Sequence, residues 1–66
     1  MRITVNGAAR DADGTVADLL EQQLGERRPS GVAVAVGEDV VRRDDWPDRR
    51  LHEGDTVEIV TAVQGG

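Results

Sequence analysis

The residues of this 66-residue chain that could most directly do chemistry are the last two, Gly65 and Gly66. A segment without side chains can enter a narrow channel in a partner enzyme, because glycine accepts the backbone conformations that a close approach requires. The terminal carboxylate of Gly66 is unhindered, and ATP could activate it as an acyl adenylate. The activated carbon would then react with sulfide, a thiol or an amine. A tail without function is the alternative that the dipeptide alone leaves open.

The side chains that the sequence lacks narrow this chemistry. The chain has no cysteine and no lysine, and His52 and Ser30 are its only histidine and serine. If the protein carries sulfur, it must do so at the terminal acyl carbon, as a thiocarboxylate. A catalytic triad or a Schiff-base lysine cannot be formed from this set. We therefore expect a protein on which partner enzymes act and not an enzyme, with no metal or cofactor bound by the chain itself.

Charge and hydropathy exclude further classes. Eight arginines face thirteen acidic residues, which gives a net charge of −5. Without a basic stripe the chain is a poor nucleic-acid binder. No apolar run approaches the roughly 20 residues that span a bilayer, and residues 1–5 lack the apolar region of a signal peptide. We expect a cytoplasmic protein of one domain, with a small aliphatic core built mostly from ten valines.

The first half of the chain predicts a hairpin and a helix. Alternation over residues 2–5 indicates a strand, and Asn6-Gly7 favours a type I′ turn into a second strand over 8–12. Thr15 is the predicted N-cap of a helix over 16–24, with Asp18 three positions later completing a capping box. The apolar face of that helix should hold Val16, Leu19, Leu20 and Leu24, and Gly25 should end it.

The second half predicts three more strands, over 32–36, from Val40, and over 56–63. The order β-β-α-β-β-β indicates an α+β protein of the β-grasp (ubiquitin-like) type, a mixed sheet with one helix across one face. The first and last strands are the natural central pair, because both carry well-defined inward apolar residues. We expect a single domain at residues 1–63 and a flexible tail at 64–66.

One sheet face is left without a helix in this arrangement. The alternation predicts that small apolar side chains lie there, where they would form a docking patch for a partner: Ala33, Ala35, Val60 and Ala62. The alternative is that crossing loops cover part of the patch.

The segment RRDDWPDRR at 42–50 is predicted to be irregular and solvated, with Trp46 packed on the rim of the sheet. The functional alternative for Trp46 is an interface anchor for a partner. The charged neighbours are expected to balance one another, with docking to acidic partner surfaces as the alternative for the arginines: Arg42, Arg43, Arg49 and Arg50 beside Asp44, Asp45 and Asp48. His52 is expected to be an exposed loop residue.

Over its whole length the sequence resembles the ThiS family of the ThiS/MoaD-like β-grasp proteins. The final segment is the most specific, because it joins the last strand to the diglycine at fixed spacing. Val36 stands where family members often have asparagine, and Gln64 stands where many have a third glycine. The resemblance is carried by ITVNG at 3–7, DGTVADLL at 13–20, VAV at 32–34, the GE…VVR stretch at 37–42, Trp46, and EGDTVEIVTAVQGG at 53–66.

The resemblance implies a sulfur carrier of thiamine (thiazole) biosynthesis. An E1-like adenylating enzyme would use Mg-ATP to adenylate Gly66. A sulfurtransferase or cysteine desulfurase would supply a cysteine-derived persulfide for conversion to the thiocarboxylate, and thiazole synthase would accept the sulfur. By this analogy Gln64 and Gly65 enter each partner's active site together with Gly66.

Three alternatives stay open from the sequence. The first keeps the chemistry and changes the pathway, as in the small subunit of molybdopterin synthase or a carrier for another sulfur metabolite. The second is a ubiquitin-like modifier that conjugates to lysines of target proteins through Gly66. The third is an interaction module with an inert tail.

Overall fold

The computed structural model describes residues 1–61, and within them the elements follow the predicted order. The predictions for Ala62, Gln64, Gly65 and Gly66, and the boundary between domain and tail, lie outside the described residues. The elements are β1 (Arg2–Val5), β2 (Ala8–Asp11), α1 (Val16–Leu24), β3 (Val32–Val36), β4 (Asp39–Val41), a 3-10 turn (Arg43–Asp45) and β5 (Thr56–Thr61).

The strands form one mixed sheet in the order β2-β1-β5-β3-β4. β5 lies at its centre, parallel to β1 and antiparallel to β3. The two outer pairs, β1 with β2 and β3 with β4, are antiparallel hairpins. This confirms the α+β prediction and the pairing of the first and last strands.

The first hairpin turns at the predicted dipeptide. Asn6 and Gly7 both have positive φ, +50° and +84°, as a type I′ turn requires. Val5 is therefore paired with Ala8, and the chain returns along β1 as the exposed edge strand β2.

The helix has the predicted bounds and caps. The Thr15 hydroxyl accepts the Asp18 N–H at 3.3 Å, and the Thr15 N–H donates to the Asp18 carboxylate at 2.9 Å. Gly25 adopts the left-handed conformation with φ +83°, and its N–H donates to the Glu21 carbonyl. The prediction for Leu24 is wrong: it lies in the last helical turn, packs outside the core and is 41% exposed. Ala17 is buried in its place.

The segment 42–50, which we call the Trp46 segment, is buried at its centre. This corrects both predictions for Trp46. That side chain is 1% exposed and packs in the core, with its indole N–H donating to the Val41 carbonyl at 3.0 Å. A ring buried in this way cannot be an interface anchor. Its backbone also completes the helix, since the carbonyls of Trp46 and Arg49 accept the N–H groups of Ala17 and Val16.

The core lies between α1 and the inner face of the sheet. Leu51, which follows the Trp46 segment, contributes to it and is tied by its N–H to the Gly14 carbonyl at 2.9 Å. The buried apolar residues are Ile3, Val5, Ala12, Val16, Ala17, Leu19, Leu20, Val34, Val36, Val41, Trp46, Leu51 and Val57.

Candidate functional site at the end of the central strand

β5 is the last described element before the diglycine tail. Thr61, its last residue, stands five positions before Gly66 in the sequence. Val60 pairs with Ala33 and Thr61 pairs with Val32 at the start of β3. β5 is central in the strand order, but its last residues pair with β3 alone.

The Asn6 side chain holds β5 from the other side. Its Oδ1 accepts the Ile59 N–H at 2.7 Å, and its Nδ2 donates to the Ile59 carbonyl at 3.0 Å. Sequence reasoning missed this pair. Asn6 was assigned only to the turn, and nothing local to residues 6 and 7 indicates a partner 53 positions away.

The sheet face opposite α1 carries the predicted apolar patch. Val60 is 60% exposed, Ala33 is exposed beside it, and Ala35 is half-buried. Val40 in β4 lies opposite Ala35 and is 77% exposed, so it extends the patch toward the sheet edge. We call Ala33, Ala35, Val40 and Val60 the open sheet face. The sequence alone does not give the β3–β4 register that places Val40 there.

β5 also brings a charged residue to this face. Glu58 pairs with Ala35 and is exposed, so the open sheet face carries a carboxylate beside its apolar side chains. A partner that covers the face must therefore offer a donor to this carboxylate or leave it at the solvent-exposed rim, because a buried unpaired charge is costly.

The arginine predictions need correction. Arg49 forms an ion pair with Asp39 of β4 at 3.5 Å, and Arg43 donates to the Arg28 carbonyl at 2.9 Å. Asp44 pairs with Arg28 at 2.9 Å. Arg49 and Asp44 thus pair with residues at least ten positions away and not with their sequence neighbours. His52 is exposed, as predicted, and its backbone N–H donates to the Asp55 carboxylate at 2.8 Å.

Within residues 1–61, no cluster of three or more His, Cys, Asp or Glu side chains is arranged to hold a metal ion. In the same part of the chain, the helix is too short and too polar to cross a membrane. The features that the structure describes at this end of β5 are the hydrogen bonds from Asn6 and the apolar open sheet face.

Comparison with known proteins agrees with this arrangement. The model of the ThiS family matches residues 3–66. The sulfur carrier protein ThiS of Thermus thermophilus is 38% identical, over 97% of this chain and 98% of that protein. The sulfur carrier protein ThiS of Escherichia coli is 32% identical, with both chains covered in full. The crystal structure of the thiamine biosynthesis protein ThiS from Geobacter metallireducens superposes with a TM-score of 0.78, at 28% identity over the whole of both chains.

Proposed function

Because the chain belongs to the ThiS family, we propose that it is a sulfur carrier of thiamine biosynthesis, with sulfur held at the terminal carboxyl of Gly66. One observation carries the proposal: the family match runs through residue 66 and therefore includes the Gly65-Gly66 pair. The absence of cysteine supports it, since the terminal acyl group is then the natural place for sulfur. In this function the chain is a carrier and its partners are the catalysts.

The proposed chemistry has three steps. In an E1-like adenylating enzyme, a carboxylate oxygen of Gly66 attacks the α-phosphorus of Mg-bound ATP, and pyrophosphate leaves. The terminal sulfur of a persulfide, made by a cysteine desulfurase and a sulfurtransferase, attacks the acyl carbon and displaces AMP. A thiol then cleaves the sulfur–sulfur bond, and the thiocarboxylate remains for transfer to thiazole synthase. Gln64 and Gly65 accompany Gly66 into each active site.

Two features of the sheet support this role: the pairing of β5 up to Thr61 and the exposed apolar side chains beside it. β5 pairs with β1 at Thr56 and Val57 and with β3 from Val57 to Thr61, so it is paired along its whole described length. Val60 of the open sheet face lies on this strand, only six positions before Gly66. We propose that partners bind Ala33, Ala35 and Val60, together with Ala62 at the base of the tail. Exposed apolar patches of this kind mark protein–protein contact.

The test is an intact mass of the protein purified from its own host under thiamine starvation. We expect the mass to rise by the difference between sulfur and oxygen, with fragmentation locating the change at Gly66. A variant without Gly65 and Gly66 is the control and should stay unmodified. If the full chain also stays unmodified after incubation with the host's adenylating enzyme, ATP and a sulfur source, the proposal is wrong.

The same preparation separates the remaining alternatives. Co-purification with thiazole synthase supports the thiamine pathway, whereas co-purification with a molybdopterin synthase large subunit would move the carrier to that pathway. Adducts of higher mass that disappear when Gly65 and Gly66 are deleted would indicate a protein modifier. The names of the relatives favour the thiamine pathway.

A further inference from the structure

The backbone hydrogen bonds between β1 and β5 end at Asn6, and the Asn6 side chain adds one further pair of bonds to β5. The Thr4 N–H donates to the Asp55 carbonyl, and the Asn6 N–H donates to the Val57 carbonyl, both at 2.9 Å. At Asn6 the chain leaves β5, because φ turns positive and the hairpin begins. The next peptide group of β5 that faces β1, at Ile59, would therefore lack a backbone partner.

The Asn6 side chain takes the place of that missing peptide group. Like a peptide, a carboxamide presents one N–H donor and one carbonyl acceptor side by side. Nδ2 donates to the Ile59 carbonyl at 3.0 Å and Oδ1 accepts the Ile59 N–H at 2.7 Å. Ile59 is thus held on this side by a side chain, while its neighbour Val60 is held through β3.

We infer that Asn6 is a positioning residue for the tail, whose side-chain amide fixes the point on β5 from which the chain runs to Gly66. The inference rests on the proposed function. Ile59 lies seven positions before Gly66 and next to Val60 of the open sheet face. Without the amide, Ile59 and the two residues after it are held by β3 alone, so this end of β5 is less ordered. A partner must then order more of the chain, which lowers the effective concentration of the tail at the partner's active site.

The test uses three variants in the same turn. Asn6→Gly keeps the positive φ and removes the amide, so the hairpin is retained while the bonds to Ile59 are lost. Gly7→Ala is the matched control: it strains the turn at φ +84°, its added Cβ meets no atom within 4 Å, and the Asn6 amide stays. Asn6→Asp, which keeps the acceptor and loses the donor, should give an intermediate effect.

Amide hydrogen exchange in the free protein is the first measurement. Loss of the two hydrogen bonds in Asn6→Gly should speed exchange at Ile59 by about tenfold relative to Leu19 in the core. Gly7→Ala should change both rates by a similar factor. An unchanged rate at Ile59 in Asn6→Gly overturns the inference.

The second measurement is steady-state ATP–pyrophosphate exchange by the adenylating enzyme, at a temperature where every variant is folded. For Asn6→Gly we expect KM to rise by about threefold to tenfold with kcat changed less than about twofold. Gly7→Ala should keep the wild-type KM. A wild-type KM in Asn6→Gly overturns this inference and leaves the proposed function in place. Absence of exchange with the wild-type chain overturns the proposed function, and this inference with it.

Discussion

Asp18 accepts hydrogen bonds from three groups at the start of α1. The backbone N–H and the hydroxyl of Thr15 lie 2.9 and 3.2 Å from its Oδ2, and the Arg27 guanidinium pairs with its Oδ1. The Thr15 N–H, and after it Arg27, lower the pKa of the Asp18 carboxyl below its ordinary value. The N-cap, the first turn of the helix and the loop after it are thereby joined through one charged side chain.

Asp18→Asn should change the acid stability of the protein. The folded-state pKa lies below the unfolded value of 3.8, so the carboxylate stabilises the fold above that pH, and this contribution is lost as pH falls through the folded pKa. The variant should be less stable at pH 7 and should lose less stability in acid. Unfolding in urea from pH 7 to about pH 2, followed by Trp46 fluorescence, measures both effects.

The control is Glu26→Gln, which removes one negative charge from an exposed loop. It should leave the acid dependence of the wild type in place. Equal pH slopes for Asp18→Asn and the wild type below pH 3.8 would contradict the assignment.

The Asp18 carboxylate also restricts which residue can stand at position 14. The φ of Gly14 is +93°, and a Cβ built there would stand 2.1 Å from Asp18 Oδ2. Gly14→Ala should therefore destabilise more than Gly7→Ala, which suffers only left-handed strain of about 1–2 kcal/mol. The check is a double-mutant cycle in urea: an Asp18→Ala background removes the carboxylate and leaves only the Cβ contact at 3.3 Å, so most of the excess should disappear. An excess that persists there undiminished would locate the strain outside the capping box.

At the scale of elements, the Trp46 segment completes a helix that is short by itself. Nine residues form α1, and isolated helices of that length are marginal in water. The carbonyls of Trp46 and Arg49 accept its first N–H groups, while the indole ring fills the core below. Helix and segment therefore depend on each other.

Trp46→Phe tests this dependence. Phenylalanine keeps most of the apolar contact but leaves the buried Val41 carbonyl without its donor, at a cost of about 1–3 kcal/mol. Circular dichroism should show a lower Tm for the variant, with adenylation of the folded protein unchanged. A retained Tm with lost adenylation would restore Trp46 as a contact for partners.

Local signals predicted the elements well, and long-range partners less well. The hairpin at Asn6-Gly7 and the caps at Thr15 and Gly25 depend on backbone preferences of a few residues, and all three are confirmed. The burial of Trp46 and the bonds from Asn6 to Ile59 depend on the register of distant segments. The charged residues around Trp46 indicated a solvent-exposed segment, but the Trp46 ring is buried in the core. The predictions for Gln64, Gly65 and Gly66 stay predictions.

At the scale of the whole molecule, the two faces of the sheet have different uses. α1 and the Trp46 segment cover one face and supply the core. The other carries Val40 and Val60, the most exposed large aliphatic residues of the described chain, on either side of β3. Two valines are thus exposed to solvent on β4 and on β5, the strand that precedes the tail.

Val60→Asp should weaken partner binding without unfolding the protein, because Val60 is 60% exposed. We expect KM for the adenylating enzyme to rise by at least about tenfold, as for loss of a central contact. Leu24→Asp is the matched control, since it places the same charge on an exposed leucine of the helix. Unchanged folding and an unchanged adenylation rate in Val60→Asp would exclude this face as the docking surface.

The central place of β5 also determines how the chain folds. The β1–β2 hairpin and the helix can form early, but β1 and β3 are joined only through β5. Thr4 must find Thr56, 52 positions later, before the sheet is continuous. The chain loses the entropy of closing this long loop before the contacts between the strands form. Proteins whose contacts are far apart in sequence therefore fold more slowly. We therefore expect the pairing of β5 to limit the rate of folding, so that the strand leading to the tail is the last to be ordered.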